Sequence, residues 1–122
     1  MAVYVDPELK RAFSELQMKK LDVQQKVKMV DLQMEQLKRM QKHAELTHTE
    51  VNALPDNTHL YQGVGRMFIL QPREEIRNQL IDKKKTAEGK IKELEKKKVY
   101  HERSVKDAED NIREMLMSRR AQ

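Results

Sequence analysis

Apolar residues recur in the first part of the chain at alternating steps of four and three: Leu9, Phe13, Leu16, Lys20, Val23, Val27, Val30, Met34, Leu37, Gln41 and Ala44, of which only Lys20 and Gln41 are polar. That spacing lines one stripe of an α-helix and is the seam of a coiled coil. Asp6-Pro7-Glu8 supplies its start: the Asp6 carboxylate can accept from an orphan backbone N–H, Pro7 has no N–H to lose, and Glu8 lies at the positive end of the helix dipole. A second register of the same kind runs through Leu80, Lys84, Ala87, Ile91, Leu94, Lys98, His101, Val105, Ala108, Ile112 and Met115. It is the weaker one, because Lys84, Lys98 and His101 fall on it. Equal lengths, about 52 Å each at 1.5 Å per residue, predict two helices folded back as an antiparallel hairpin.

The middle enforces that choice. Pro55, Gly63, Gly65 and Pro72 fall close together, and no helix runs through them. Ahead of them Thr47-His48-Thr49-Glu50 matches a capping box, which predicts a separate short helical turn ending at Pro55. Two apolar runs, Thr58 to Gln62 and Met67 to Gln71, flank Gly63-Val64-Gly65-Arg66 and predict a β-hairpin with glycines where the turn needs positive φ. The expected organisation is one unit, 1–122, with a first helical arm at 6–46, the short turn at 47–54, the hairpin at 58–71 and a second arm at 72–120.

That hairpin is the most apolar stretch of a highly charged chain. Leu60, Tyr61, Val64, Met67, Phe68, Ile69 and Leu70 crowd it, and a lone pair of strands with two free edges is marginal in water. Two slender helices cannot cover both its faces. It is therefore expected to pair edge to edge with hairpins of other subunits in a closed or stacked β-structure.

Composition sharpens the picture. The chain is 38% hydrophobic and 37% charged, with three Gly, three Pro and no Cys. Such content is too polar for a deep single core and too mixed in sign for a disordered tail. The absence of cysteine excludes a disulfide framework, a thiolate metal site and a Cys nucleophile. With no signal-like start and no run near the length of a membrane span, it points to a soluble intracellular protein. Net charge is +5, with the excess in the C-terminal half, where Glu88 with Lys92, Glu93 with Lys97, Glu102 with Lys106 and Glu109 with Arg113 stand at the i,i+4 spacing of a solvated helix face.

Candidate chemistry is sparse. Gly63-Val64-Gly65 has Phe68 where a dinucleotide loop needs its third glycine, and no P-loop is present. His43, His48, His59 and His101 have no ligand-type partner at helical spacing, and no nucleophile–base arrangement lies in a plausible cleft. No catalytic residue, cofactor or metal is expected, and the chain reads as a non-enzyme. Lys20, Gln41, Lys84 and Lys98 are seam polars of the kind that fix register and partner. Val3, Tyr4 and Val5 before the first helix, and Met115, Leu116 and Met117 near the end of the second, meet at one tip. They either cap each other or form a soft apolar surface for partners.

Leu54-Pro55-Asp56, the run Tyr61-Gln62-Gly63-Val64-Gly65-Arg66-Met67-Phe68-Ile69-Leu70, and Asn111-Ile112-Arg113-Glu114-Met115-Leu116 together carry a family likeness. Set between and within two equal arms, they resemble the β-type subunits of prefoldin, and the resemblance covers essentially the whole chain. It implies a hetero-hexamer of α-type and β-type subunits whose hairpins form a β-barrel platform and whose coiled-coil arms hang from it. Their tips hold unfolded actin, tubulin and other clients and pass them to the cytosolic chaperonin without ATP, in the cytoplasm.

Carried onto this chain, the resemblance makes Leu60, Tyr61, Gly63, Val64, Gly65, Met67, Phe68, Ile69 and Leu70 the oligomerisation hairpin. The client-binding tip becomes Val3, Tyr4, Val5, Leu9, Phe13, Met115, Leu116 and Met117. A different class of reading is a structural coiled-coil adaptor or a nucleic-acid binder using Lys83 to Lys85, Lys96 to Lys98 and Arg119-Arg120 as phosphate contacts. That reading leaves the hairpin unexplained.

Overall fold

After Pro7 the chain meets no further proline or glycine until Pro55. Helix α1 accordingly runs unbroken over Pro7–Ala53 in the computed structural model, which describes residues 7–120. Strands β1 (Leu60–Val64) and β2 (Met67–Gln71) follow, and then helix α2 (Arg73–Arg120). The chain is mainly helical: two long helices with a two-stranded antiparallel hairpin between them. Asp6 and the Val3 to Val5 part of the expected tip lie outside the described residues.

The chain divides into two compact units, Met1–Leu32 with Leu94–Gln122, and Gln33–Glu93. In the first, Leu9, Leu16, Val23 and Val30 of α1 and Ile112 of α2 are buried, and Lys20, Val27, Leu94, Lys98, His101, Val105, Ala108 and Met115 are half-buried. These are the predicted seam positions. Burial against a single partner helix stays thin, and no side chain in the described residues is completely enclosed.

Two bridges across that seam share one register. Lys20 Nζ meets Glu109 Oε1 at 2.9 Å, and Lys98 Nζ meets Asp31 Oδ1 at 2.9 Å, so α1 advances eleven residues as α2 retreats eleven. Exposed pairs of this kind add little net stability, typically about 0–1 kcal/mol. Their value is in register, since a slip of one turn would separate both. Glu109, expected to pair with Arg113 along its own helix, is thus used across the seam.

The hydrogen bond from Lys98 to Asp31, reinforced by that carboxylate's charge, holds the lysine above its ordinary 10.5 against an opposing effect of burial, with a lesser contribution from Glu102. A raised pKa gives stability that is fully present below the ordinary lysine value and is lost as pH rises through the raised one. The melting advantage of the parent over Lys98→Met is therefore expected to stay level from neutral pH to about 10.5 and to shrink above it. An advantage that already fades on the neutral side would contradict the bridge.

In the second unit Met34, Ala44 and Val51 of α1 and Ala87 and Ile91 of α2 are buried, and Gln41 Nε2 donates to Glu88 Oε1 at 3.4 Å. Here the structure departs from the expected break at 47–54, because α1 continues through it. Ala44, His48 and Val51 keep the four-and-three rhythm, and Thr47 and Thr49 do not cap anything. Their hydroxyls donate back to the carbonyls of His43 and Glu45 at 2.8 and 3.0 Å, the bonding open to a threonine inside a helix.

The hairpin also differs in detail. β1 is Leu60–Val64 instead of Thr58 to Gln62, in register Leu60↔Gln71, Tyr61↔Leu70, Gln62↔Ile69, Gly63↔Phe68 and Val64↔Met67. Of the two hairpin glycines only Gly65 has positive φ, at 61°, so the turn is the two-residue Gly65-Arg66 connection of type II′ character. Gly63 is a strand residue: a Cβ there would stand 3.7 Å from the Phe68 ring, which lies over the bare backbone opposite it. Pro72 sits just outside α2, its carbonyl accepting from the Ile76 N–H at 3.2 Å, while Glu74 and Glu75 face the helix dipole from the first turn.

Candidate functional site

Two sets of residues stand out, one in each unit. Alternation along the hairpin puts Leu60, Gln62, Val64, Met67, Ile69 and Gln71 on one face and Tyr61, Gly63, Phe68 and Leu70 on the other. Leu60 is half-buried. Tyr61, Val64, Met67, Phe68, Ile69 and Leu70 are all exposed, Phe68 the most at 77%. The sheet has only these two strands, so each keeps one edge without a ladder partner within the chain. Exposed apolar side chains on both faces, together with open edges, form a surface suited to further strands.

The approach to the hairpin is held by a residue that periodicity does not single out. Arg73, only 15% exposed, donates through Nη1 to the Leu54 carbonyl at 3.0 Å and through Nη2 to the Pro55 carbonyl, with Asp56 Oδ1 3.8 Å away. The last turn of α1 contains no basic residue, so the guanidinium supplies the cation that a helix C-terminus favours. It also satisfies carbonyls that the helix leaves open. A turn closed by the Thr58 N–H to the Pro55 carbonyl, 3.1 Å, then directs the chain into β1. No local motif announces the clamp, because its partners are 18 and 19 residues away.

In the first unit Arg119 Nη2 donates to Glu8 Oε2 at 3.0 Å, bringing the start of α1 to the end of α2. Phe13, Met115, Leu116 and Met117 share that region. Phe13 is 40% exposed and Met117 65%, with Met115 and Leu116 half-buried. Leu9 differs from the rest of the expected tip: at 2% exposure it belongs to the core between the helices, being on the seam, and offers no surface to a partner.

Sequence reasoning missed a second feature of this unit. Met18, Leu21, Met29 and Leu32 are all exposed on α1. Met18 and Leu32 lie opposite the seam, each two residues from the seam positions on either side, whereas Leu21 and Met29 are next to Lys20 and Val30 and flank it. The signal was the repeat of Met-x-x-Leu after eleven residues, three helical turns, in Met18 to Leu21 and Met29 to Leu32.

Among the described residues no group of three or more His, Cys, Asp or Glu is placed to hold a metal ion, and no helix is long and apolar enough to cross a membrane. His48 Nδ1 stands 3.1 Å from Asn52 Nδ2, and His101 packs edge-on to Tyr100.

Two long helices of coiled-coil periodicity, joined by a hairpin with exposed apolar side chains and open edges, define a coiled-coil protein with a surface suited to association with other chains. The family model described as Prefoldin subunit matches residues 14–119. Prefoldin subunit 1 of Danio rerio is 68% identical over 122 residues, and prefoldin subunit 1 of Homo sapiens 66% over 122 residues, each match covering 100% of both chains. The crystal structure of the prefoldin beta subunit from Thermococcus strain KS-1 superposes with a TM-score of 0.76, covering 93% of this chain and 96% of that one, at 20% identity, a likeness of fold alone. The chain belongs to the prefoldin family and is a coiled-coil chaperone subunit that partners other prefoldin subunits.

Proposed function

We propose that this chain is a β-type subunit of a cytoplasmic, ATP-independent hetero-hexameric holdase. In this reading its hairpin joins a β-barrel platform with α-type and β-type neighbours. Its tip holds unfolded actin, tubulin and other clients and releases them to the cytosolic chaperonin. The observation that carries it is the hairpin: six exposed apolar side chains on two strands with open edges describe half of an interface.

The client-binding residues in this reading are Phe13 and Met117, with Met115 and Leu116 partly available; Leu9 supports them from the core. Each arm grips weakly, because a fully buried aliphatic or aromatic side chain contributes only about 1.5–3 kcal/mol and these are covered in part. Arms joined on one platform raise the effective concentration of the second and third contacts. The complex holds an unfolded chain by avidity, while each contact stays easy to release.

In the reconstituted hexamer, Phe13→Ser combined with Met117→Ser is expected to leave assembly intact and weaken the affinity for chemically unfolded actin by about tenfold, the equivalent of about 1.4 kcal/mol. An unchanged dissociation constant in a hexamer that contains the variant would overturn the tip assignment.

A further inference from the structure

A groove of about 420 Å³ lies beside the hairpin in the unit Gln33–Glu93. Leu37 and Met40 of α1 and Ala87 of α2 supply its apolar surface, Gln62 of β1 borders it, and Lys83 and Lys90 line its α2 side. The two lysines are one heptad apart, so they flank the seam on the same side. In a coiled coil such flanking lysines ordinarily meet acidic residues of the partner helix. Here the α1 residues lining the groove are Leu37 and Met40. Both lysines are exposed, and neither has an ion-pair partner among the described residues. Asp82, the acidic group in the lining, leaves it with one net positive charge.

We propose that this groove receives an acidic, apolar-bearing segment of a neighbouring prefoldin subunit, with aliphatic side chains against Leu37, Met40 and Ala87 and carboxylates at Lys83 and Lys90. The spacing constrains the segment. Seven helical residues place the lysine backbones about 10.5 Å apart, a span matched by carboxylates about three residues apart on an extended chain or seven apart on a helix.

The source follows from the groove's position and from the weakness of the contacts it offers. First, the groove opens next to Gln62 of β1 and no β2 residue lines it, so a subunit paired along the free edge of β1 carries its own chain past the groove. Second, exposed ion pairs contribute about 0–1 kcal/mol each, and an apolar surface this small cannot hold a free peptide firmly. A segment already tethered at the hairpin meets the groove at high effective concentration and fills it despite weak contacts. The inference rests on the reading of the hairpin as an assembly element.

The test is zero-length carbodiimide cross-linking of the reconstituted hexamer, which joins an amine to a carboxylate only when the two touch, followed by peptide mass spectrometry. Lys83 or Lys90 is expected to be joined to an Asp or Glu of a neighbouring subunit. Those links should fade as salt screens the pairs and disappear in the Lys83→Gln, Lys90→Gln variant, which still enters the hexamer through its hairpin. An intact hexamer in which both lysines link only to carboxylates of their own chain, such as Asp82, would overturn the proposal. So would links that form only to an added client. If the parent chain enters no hexamer at all, the hairpin reading fails and takes this inference with it.

Discussion

Phe68→Asp is expected to abolish entry of this chain into the proposed hexamer while leaving the helical signal of α1 and α2 unchanged. Phe68 is the most exposed large apolar residue among the described residues, at 77%, and its ring lies over Gly63 on the paired strand. In the free chain the substitution removes an exposed ring and adds a solvated carboxylate, a change that the helices do not feel. In a closed β-structure the same carboxylate would be buried against a neighbour, at a cost of several kcal/mol unless paired, besides the loss of the ring's own burial. The effect therefore falls on association almost alone. Far-UV circular dichroism reads the helices and analytical ultracentrifugation reads the assembly. A hexamer of normal yield containing the variant would show that this face of the hairpin is not in the interface.

Arg73→Ala is expected to cost the chain about 2–4 kcal/mol of stability and to lower its incorporation at limiting concentration. The side chain is largely buried, and its two donors meet the Leu54 and Pro55 carbonyls. Hydrogen bonds involving a charged group contribute about 1.5–3 kcal/mol each, while the bridge to fully exposed Asp56 adds little. Removing the guanidinium also leaves the end of α1 without a cation. Arg73→Lys keeps the charge but not the fork, and so recovers only part of the loss. Thermal melting and a titration with partner subunits measure the two effects. A melting point within a degree of the parent would show that the clamp is not what holds the hairpin's approach.

The parts of this structure that are legible in the sequence are those built on short-range repetition. The seam residues from Leu9 to Ala44 and from Leu80 to Met115 alternate by four and three, a rhythm that one partner helix imposes directly, and all but Phe13 emerge buried or half-buried. Strand β2 is equally plain, since Met67 to Gln71 is an apolar run bounded by a turn and a proline.

Where two local signals compete, the more conspicuous one misleads. Thr47-x-x-Glu50 has the form of a capping box, but Val51 continues the seam, and burial of that stripe outweighs a cap that need not form. Gly63 and Gly65 both resemble turn residues. Only the pairing of Gly63 with Phe68 shows that one of them is in a strand. Leu9 lies near the tip, which suggests surface, although its place on the seam predicts burial. The Arg73 clamp depends on residues 18 and 19 positions apart, for which no periodicity exists; the heptad spacing of Lys83 and Lys90 is periodic, but their nearness to Gln62 of the hairpin is not.

A hairpin this exposed is not expected to remain alone in solution as it stands in the single chain. Native mass spectrometry of the 14.5 kDa chain, alone and after mixing with α-type and β-type prefoldin subunits, tests this most directly. The account predicts that mixing moves the chain into a six-subunit species that retains it on dilution. A chain that stays a folded monomer in every mixture would contradict it.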